Sequence, residues 1–387
     1  MSVDNHGGNG HTRVPVEILE MHFPPLAEVP PRPPPRRRPV WPALILFILT
    51  LISTLAVGSE FANSYTQNQQ PFSGDQTLTA IMLNPLEHPR LLLLGIPFSF
   101  TLLGILLAHE LGHFFACQLY GIDVSYPHFI PGPPFFGTFG AFIRIRSPFT
   151  TRRALFDVGL AGPVAGFLIA VPAMAYAIAS SKIIPGTEAG AAVVFGKPEL
   201  MSIFISLFHP GVDPNSILLH PVGRAAWMGL FATALNLFPV WQLDGGHIVY
   251  SFASQYHRRI SIVVSLALIA LGAVSPVWYL WGGVLLLLSL RFRHPPVIDR
   301  WEPLTPARRL WAVGAIAIFL LCFSLRPATL QDAEPDIPAS PHRIHARLVG
   351  STSTITAVSG IFFEAQNSRH PVRTCETAAR CGDFNTN

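Results

Sequence analysis

Charge is what this 387-residue sequence has least of: only 12% of its residues are Asp, Glu, Lys or Arg, where a soluble globular chain carries about 25%. Lysine is nearly absent, so arginine flanks the apolar runs. No basic stripe interleaves with aromatics, and the net charge of +4 therefore points to no nucleic-acid partner. Four cysteines, Cys117, Cys322, Cys375 and Cys381, are too few and too scattered for a disulfide scaffold or a Cys-ligated zinc module. No internal repeat is evident. What abounds is apolar: 50% of the residues are hydrophobic and the mean hydropathy is +0.41, the composition of an integral membrane protein in a lipid bilayer.

Against that background one pentapeptide stands out. His109-Glu110-Leu111-Gly112-His113 closes an uncharged run of 18 residues, 91–108, long enough to cross most of a bilayer's hydrocarbon. Two histidines four apart on a helix share a face, the spacing at which two imidazoles hold one zinc ion. The glutamate between them is placed to take a proton from a water beside the metal. Burying these polar groups in apolar helix costs roughly 2.5–3.5 kcal/mol for an acid at its centre, a cost that marks function.

The apolar runs predict an all-α polytopic membrane protein. Spans are expected at 40–58, 91–119, 158–181, 225–243 and 310–325. The stretch 260–290, 31 residues, would be a helix of about 46 Å, too long for a roughly 30 Å core. Ser275-Pro276 breaks it near the middle, beside Trp278, Tyr279 and Trp281, so two short spans are expected there. About seven transmembrane helices result. They make up a domain at 40–325 with a catalytic core at about 91–250, between a Pro/Arg-rich disordered tail at 1–39 and a polar tail at 326–387. Between the second and third spans, Phe135 to Ile143 alternates after Gly137 as an extended edge, a short re-entrant or β-hairpin element near the site. Gly137 and Gly140 on that edge are candidates to meet an unwound substrate.

Arginines before the first span (Arg36, Arg37, Arg38) and between the second and third (Arg144, Arg146, Arg152, Arg153) place the N-terminus and the His109 end of the second span in the cytoplasm. With seven crossings the C-terminal tail lies outside, where Cys375 and Cys381 could bridge or stay free. Two histidines need at least one more protein ligand and an open position. Asp244, at the cytoplasmic end of the 225–243 span and at the depth of His109, is the best candidate. Asp157 and His247 are its rivals: the first reads as an interfacial acid, the second follows two glycines and reads as facing solvent. Cys117, one turn past His113, reads as a small apolar helix residue.

His109-Glu110-x-x-His113, with Asn236-x-x-Pro239-x-x-x-Leu243-Asp244-Gly245 in a later span, resembles the site-2 protease family of intramembrane zinc metalloproteases. Gly159-Leu-Ala-Gly162-Pro163-Val-Ala-Gly166 looks like that family's small-residue third helix, where helices approach closely. The resemblance implies one zinc per chain bound by His109, His113 and Asp244, with Glu110 as the catalytic acid/base. It implies that Asn236 holds the backbone of a membrane-anchored protein substrate. The 182–224 loop is too short for the PDZ domain of many bacterial members, so the chain is more similar to PDZ-less bacterial and plastid members. A bacterial inner membrane is the expected location. A silent zinc-binding regulator would be expected to lack Glu110. A metal transporter would spread polar residues over several spans instead of gathering them at one depth.

Overall fold

Pro42 stands in the first turn of the first helix, where its missing N–H costs nothing, and the apolar run behind it winds into α1 (Trp41–Thr66). The computed structural model describes residues 39–72, 87–185, 193–299, 301 and 303–330. After a short turn of helix at 89–95 comes α2 (Ile96–Leu119), with Pro97 also at its N-terminus, so it does not kink the span. α3 (Arg152–Ala179) is capped by Thr151, whose Oγ1 accepts from the Ala154 N–H at 3.1 Å. It carries Pro163 and Pro172 inside, as helices packed among other helices in lipid tolerate.

Among the described residues only three stretches, Trp41–Thr66, Pro89–Leu119 and Arg152–Ala179, with 26, 31 and 28 residues, are long and apolar enough to cross a membrane. They present large apolar side chains outward, among them Leu44, Ile48, Phe100, Leu107, Leu168 and Ile169, as surfaces against lipid do. The chain is an integral membrane protein.

The expectation of about seven spans is thereby corrected. The remaining apolar runs fold as α5 (Pro221–Leu237), α7 (His257–Leu271), α8 (Val277–Arg291) and α9 (Pro306–Cys322), following the ten-residue α4 (Glu199–Phe208) and with α6 (Asp244–Ala253) between α5 and α7. Helices of 15 to 17 residues reach about 22–26 Å, short of a roughly 30 Å hydrocarbon core. Proline sets two of these lengths: Phe238, forced extended before Pro239 (ψ 136°), ends α5, and Ser275-Pro276 separates α7 from α8. The outside placement of the C-terminal tail rested on the seven crossings and falls with them. The tails at 1–39 and 326–387, with Cys375 and Cys381, lie outside the described residues except for 39 and 326–330, where Ala328–Leu330 pairs antiparallel with Val193–Phe195.

α2 lies between α1, α3 and α5. Its contact with α1 is backbone on backbone: a Cβ on Gly95 would come 2.0 Å from the Leu55 carbonyl oxygen. Thr54 and Ser99 share a hydroxyl hydrogen bond of 2.7 Å a turn away, a polar tie inside the bundle. Val57, Phe98, Leu102, Ile105, Met174 and Leu230 fill the space where the helices meet.

Between α2 and α3, β1 (His128–Pro131) and β2 (Thr138–Phe142) pair antiparallel, His128 opposite Phe142 and Ile130 opposite Gly140, with a register shift before Pro131. Phe129 meets Phe47 of α1 edge-on at 5.2 Å, and Ser53 Oγ donates to the Gly137 carbonyl at 2.6 Å, so the pair is seated on the first span.

Candidate metal centre

One helical turn separates His109 from His113 on α2, and their rings stand 4.8 Å apart on one face. Asp244 reaches the same point from the first turn of α6, a position where the helix dipole favours a carboxylate. Its Oδ2 is 3.0 Å from His109 Nε2 and its Oδ1 is 3.3 Å from His113 Nε2. Two donors each about 2.0–2.1 Å from a tetrahedral ion lie about 3.3–3.4 Å apart, so two imidazole nitrogens and one carboxylate fit zinc. All three residues are buried, and their ligand atoms lie within 4.8 Å of one another. His113 Nδ1 donates to the Val158 carbonyl at 2.7 Å, which leaves the lone pair on Nε2, the nitrogen that faces Asp244.

Glycines supply the room. On α3, a Cβ at Gly159 would meet His247 at 2.9 Å, one at Gly162 would meet His113 Nε2 at 2.1 Å, and one at Gly166 would meet His109 at 3.2 Å. Their spacing of three and four puts all three on one helix face, so the close helix approach serves the imidazole rings directly. Gly245 and Gly246 do the same for Asp244: a Cβ on Gly245 would lie 2.0 Å from the Leu237 carbonyl oxygen and one on Gly246 2.5 Å from that of Trp241. The last turn of α5 thus touches the first of α6 across the open stretch 238–243, where Trp241 takes a left-handed φ of 50°.

Gly162→Ala is therefore expected to abolish metal binding as thoroughly as loss of His113, because the ring must swing out of the site. Metal content of the purified variant checks it, with Gly104→Ala, where nothing lies within 4 Å, expected to bind normally.

Glu110, also buried, faces a cavity of about 170 Å³ lined by His109, His113, Asp244 and Ile143. A second cavity of about 230 Å³ shares His109, Glu110, Ala141, Asn236 and Leu243 with the first and continues along α5 toward Trp281 and Leu285. Asn236 Nδ2 is 3.3 Å from His109 Nε2. Gly140 (φ 109°) lines this second cavity, with open space at its Cα. Gly137 (φ 73°) lines neither; it packs on Thr54 of α1.

The rival ligands are engaged elsewhere. Asp157 is gripped by Arg308 of α9, with Nη2 at 2.6 Å and Nε at 2.8 Å, and accepts from the Tyr120 hydroxyl. Cys117 is buried in an apolar cluster with Ile122 and Leu155. His247 does not face solvent as expected: its Nδ1 lies 2.8 Å from His294 Nε2. His294 Nδ1 donates to the Pro295 carbonyl at 2.7 Å, so His247 is the donor in the pair. Burial lowers His247 to about 4 and His294 to about 3, which keeps both neutral near pH 7. His294, 47 residues on, carries no sequence signal that ties it to His247.

The chain is similar to known proteins. The chain is 31% identical to the probable zinc metalloprotease EGY1, chloroplastic, of Arabidopsis thaliana, over 76% of this chain and 54% of that protein. It is 26% identical to the EGY1 of Oryza sativa subsp. japonica, over 74% and 50%, and 28% identical to the Arabidopsis EGY2, over 63% and 44%. The chain thus spans about half the length of these relatives. The model of peptidase family M50 matches residues 97–275. That stretch begins at the head of the helix that carries His109 and His113 and ends beyond Asp244, so it takes in the candidate metal centre, and the chain belongs to peptidase family M50.

Proposed function

We propose that the protein is an intramembrane zinc metalloendopeptidase, one zinc per chain, that hydrolyses peptide bonds in or near the transmembrane segments of membrane-anchored proteins. The observation that carries this reading is the position of Glu110: it stands between the two histidines, opposite Asn236, where the metal chamber opens into the longer cavity. Zinc, when bound, supplies Lewis acidity to a water molecule and to the scissile carbonyl. Glu110 takes the attacking water's proton and returns it to the leaving amine.

A helical substrate hides its carbonyls, so it must unwind before the chemistry. β2 supports this step: β1 pairs with one side of it, and among the described residues no strand pairs with the other, while Phe139, Gly140 and Ala141 line the longer cavity. An unwound substrate strand would add to that edge, with Gly140 leaving the backbone uncovered. In the sequence, arginines precede α1 and fill the connection between α2 and α3, which supports a cytoplasmic N-terminus and a site toward the cytoplasm.

Asn236 closes α5 and offers both a donor and an acceptor to a substrate backbone. Asn236→Ala is expected to leave zinc content intact and lower cleavage of single-span peptides about 10–100-fold, with a smaller loss for peptides whose helix is already broken by Gly or Pro. Equal loss on all peptides together with a lower melting temperature would assign Asn236 a structural role instead.

A further inference from the structure

Away from the metal centre, a cavity of about 490 Å³ opens where the start of α7 meets the end of α8. Its size is that of a small-molecule site, and most of its lining residues carry a side-chain group that can donate a hydrogen bond. Trp241 Nε1, His257 Nε2 and Ser289 Oγ, each on a residue that lines the cavity, are buried without a hydrogen-bond partner. His257 and Ser289 are 4% and 3% exposed. Buried polar atoms without partners are rare and call for one. Three guanidinium groups, Arg258, Arg259 and Arg293, stand around the same opening. No Asp or Glu occurs anywhere between residues 245 and 298, and among the described residues no recorded ion pair involves these arginines. His257, Arg258 and Arg259 also form the first turn of α7, whose N-cap residue Tyr256 supplies no side-chain cap to the free N–H groups.

We infer that this cavity binds a phosphate group, either the headgroup of an anionic lipid or free phosphate. Guanidinium groups at the rim, where Arg258 also donates to the Leu290 carbonyl at 3.4 Å, an indole N–H, a hydroxyl and a helix N-terminus are complementary to an anion with several oxygens on one centre. A phosphate beside His257 would favour the protonated ring, which turns Nε2 into a further donor. The site is separate from the metal centre, with which this cavity shares no lining residue.

The test uses the full chain in a phosphate-free detergent. One arm titrates inorganic phosphate by calorimetry. The other compares lipid retained, by native mass spectrometry, after reconstitution in nanodiscs of phosphatidylglycerol or of the phosphate-free, neutral digalactosyldiacylglycerol. Saturable binding of one equivalent is expected in at least one arm. Binding of inorganic phosphate identifies a free-phosphate site, and retention of phosphatidylglycerol alone identifies a headgroup site. Arg258→Gln and Arg293→Gln are each expected to weaken binding about tenfold or more, and Ser289→Ala, which removes no charge, to weaken it less. Arg291→Gln removes the same charge from a residue that does not line the cavity and is expected to leave binding unchanged. No binding in either arm would overturn the inference, as would equal weakening by Arg291→Gln, which would mark diffuse charge attraction.

Discussion

Glu110→Gln is expected to leave zinc content at the wild-type level and to lower peptide cleavage by about a thousandfold or more. The carboxylate is not among the atoms that would hold the metal: the ligand cluster closes with His109, His113 and Asp244, and Glu110 faces the chamber beside it. Glutamine keeps the shape, but it can neither take a proton from water nor return one to the leaving amine. Metal analysis of the purified variant, paired with single-turnover cleavage of a single-span peptide, separates the two properties. A variant that is metal-free would place Glu110 among the ligands. A variant that cuts at near wild-type rate would remove it from the reaction.

The candidate site was legible because its chemistry is written in short spacings. His109 and His113 are four apart, and Asp244 follows Pro239 by five residues, so helical period and proline stereochemistry bring the side chains to known places. What these spacings do not carry is the reason for the glycines. Gly162 and Gly166 could serve any close helix crossing; only the fold reveals that an imidazole ring fills the space at each. His247 shows the limit more plainly. Two preceding glycines suggested a solvent-facing residue, yet its partner His294 lies 47 positions away, and long-range pairing leaves no trace in local pattern. Gly137 was read with Gly140 as part of one strand edge, but the left-handed turn at Gly137 serves to seat β1 and β2 on α1.

Hydropathy located the apolar runs and overcounted the crossings. A run such as 225–243 has the composition of a span, but its helix stops at Leu237 because Pro239 excludes helical geometry from Phe238. Six residues then run open before α6, and those six carry the chain from Asn236 to Asp244. The break that keeps α5 too short to cross therefore leads directly to Asp244, the candidate third ligand, at the head of α6. Likewise 260–290 breaks at Ser275-Pro276 as its length demands, but each half is a 15-residue helix, below spanning length. Composition reports whether a segment tolerates lipid; proline and helix length decide whether it traverses.

Asp244→Ala is expected to lose both metal and cleavage. Asp244 supplies the cluster's only carboxylate, and each of its oxygens approaches a different imidazole. With alanine there, two neutral histidines remain, one short of the three protein ligands that a catalytic zinc site needs. The loss of affinity is expected to exceed the roughly 10–100-fold that removal of an outer-shell partner costs. Asp157→Asn makes the matched comparison. It removes a carboxylate of the same size from α3, but that carboxylate holds Arg308 and Tyr120 and touches no ligand. It is expected to keep zinc at the wild-type level while it lowers the melting temperature, since Arg308 loses one of its two bonds from α9 to α3 and the charge that pairs with it. Dialysis against a zinc buffer followed by metal analysis gives the two affinities, and thermal unfolding the two stabilities. Full zinc retention in Asp244→Ala would transfer the third-ligand role to His247, whose Nε2 carries no proton when its Nδ1 donates to His294. Zinc loss in Asp157→Asn would mean that the grip of α9 on α3 sets the position of the glycines that frame His109 and His113.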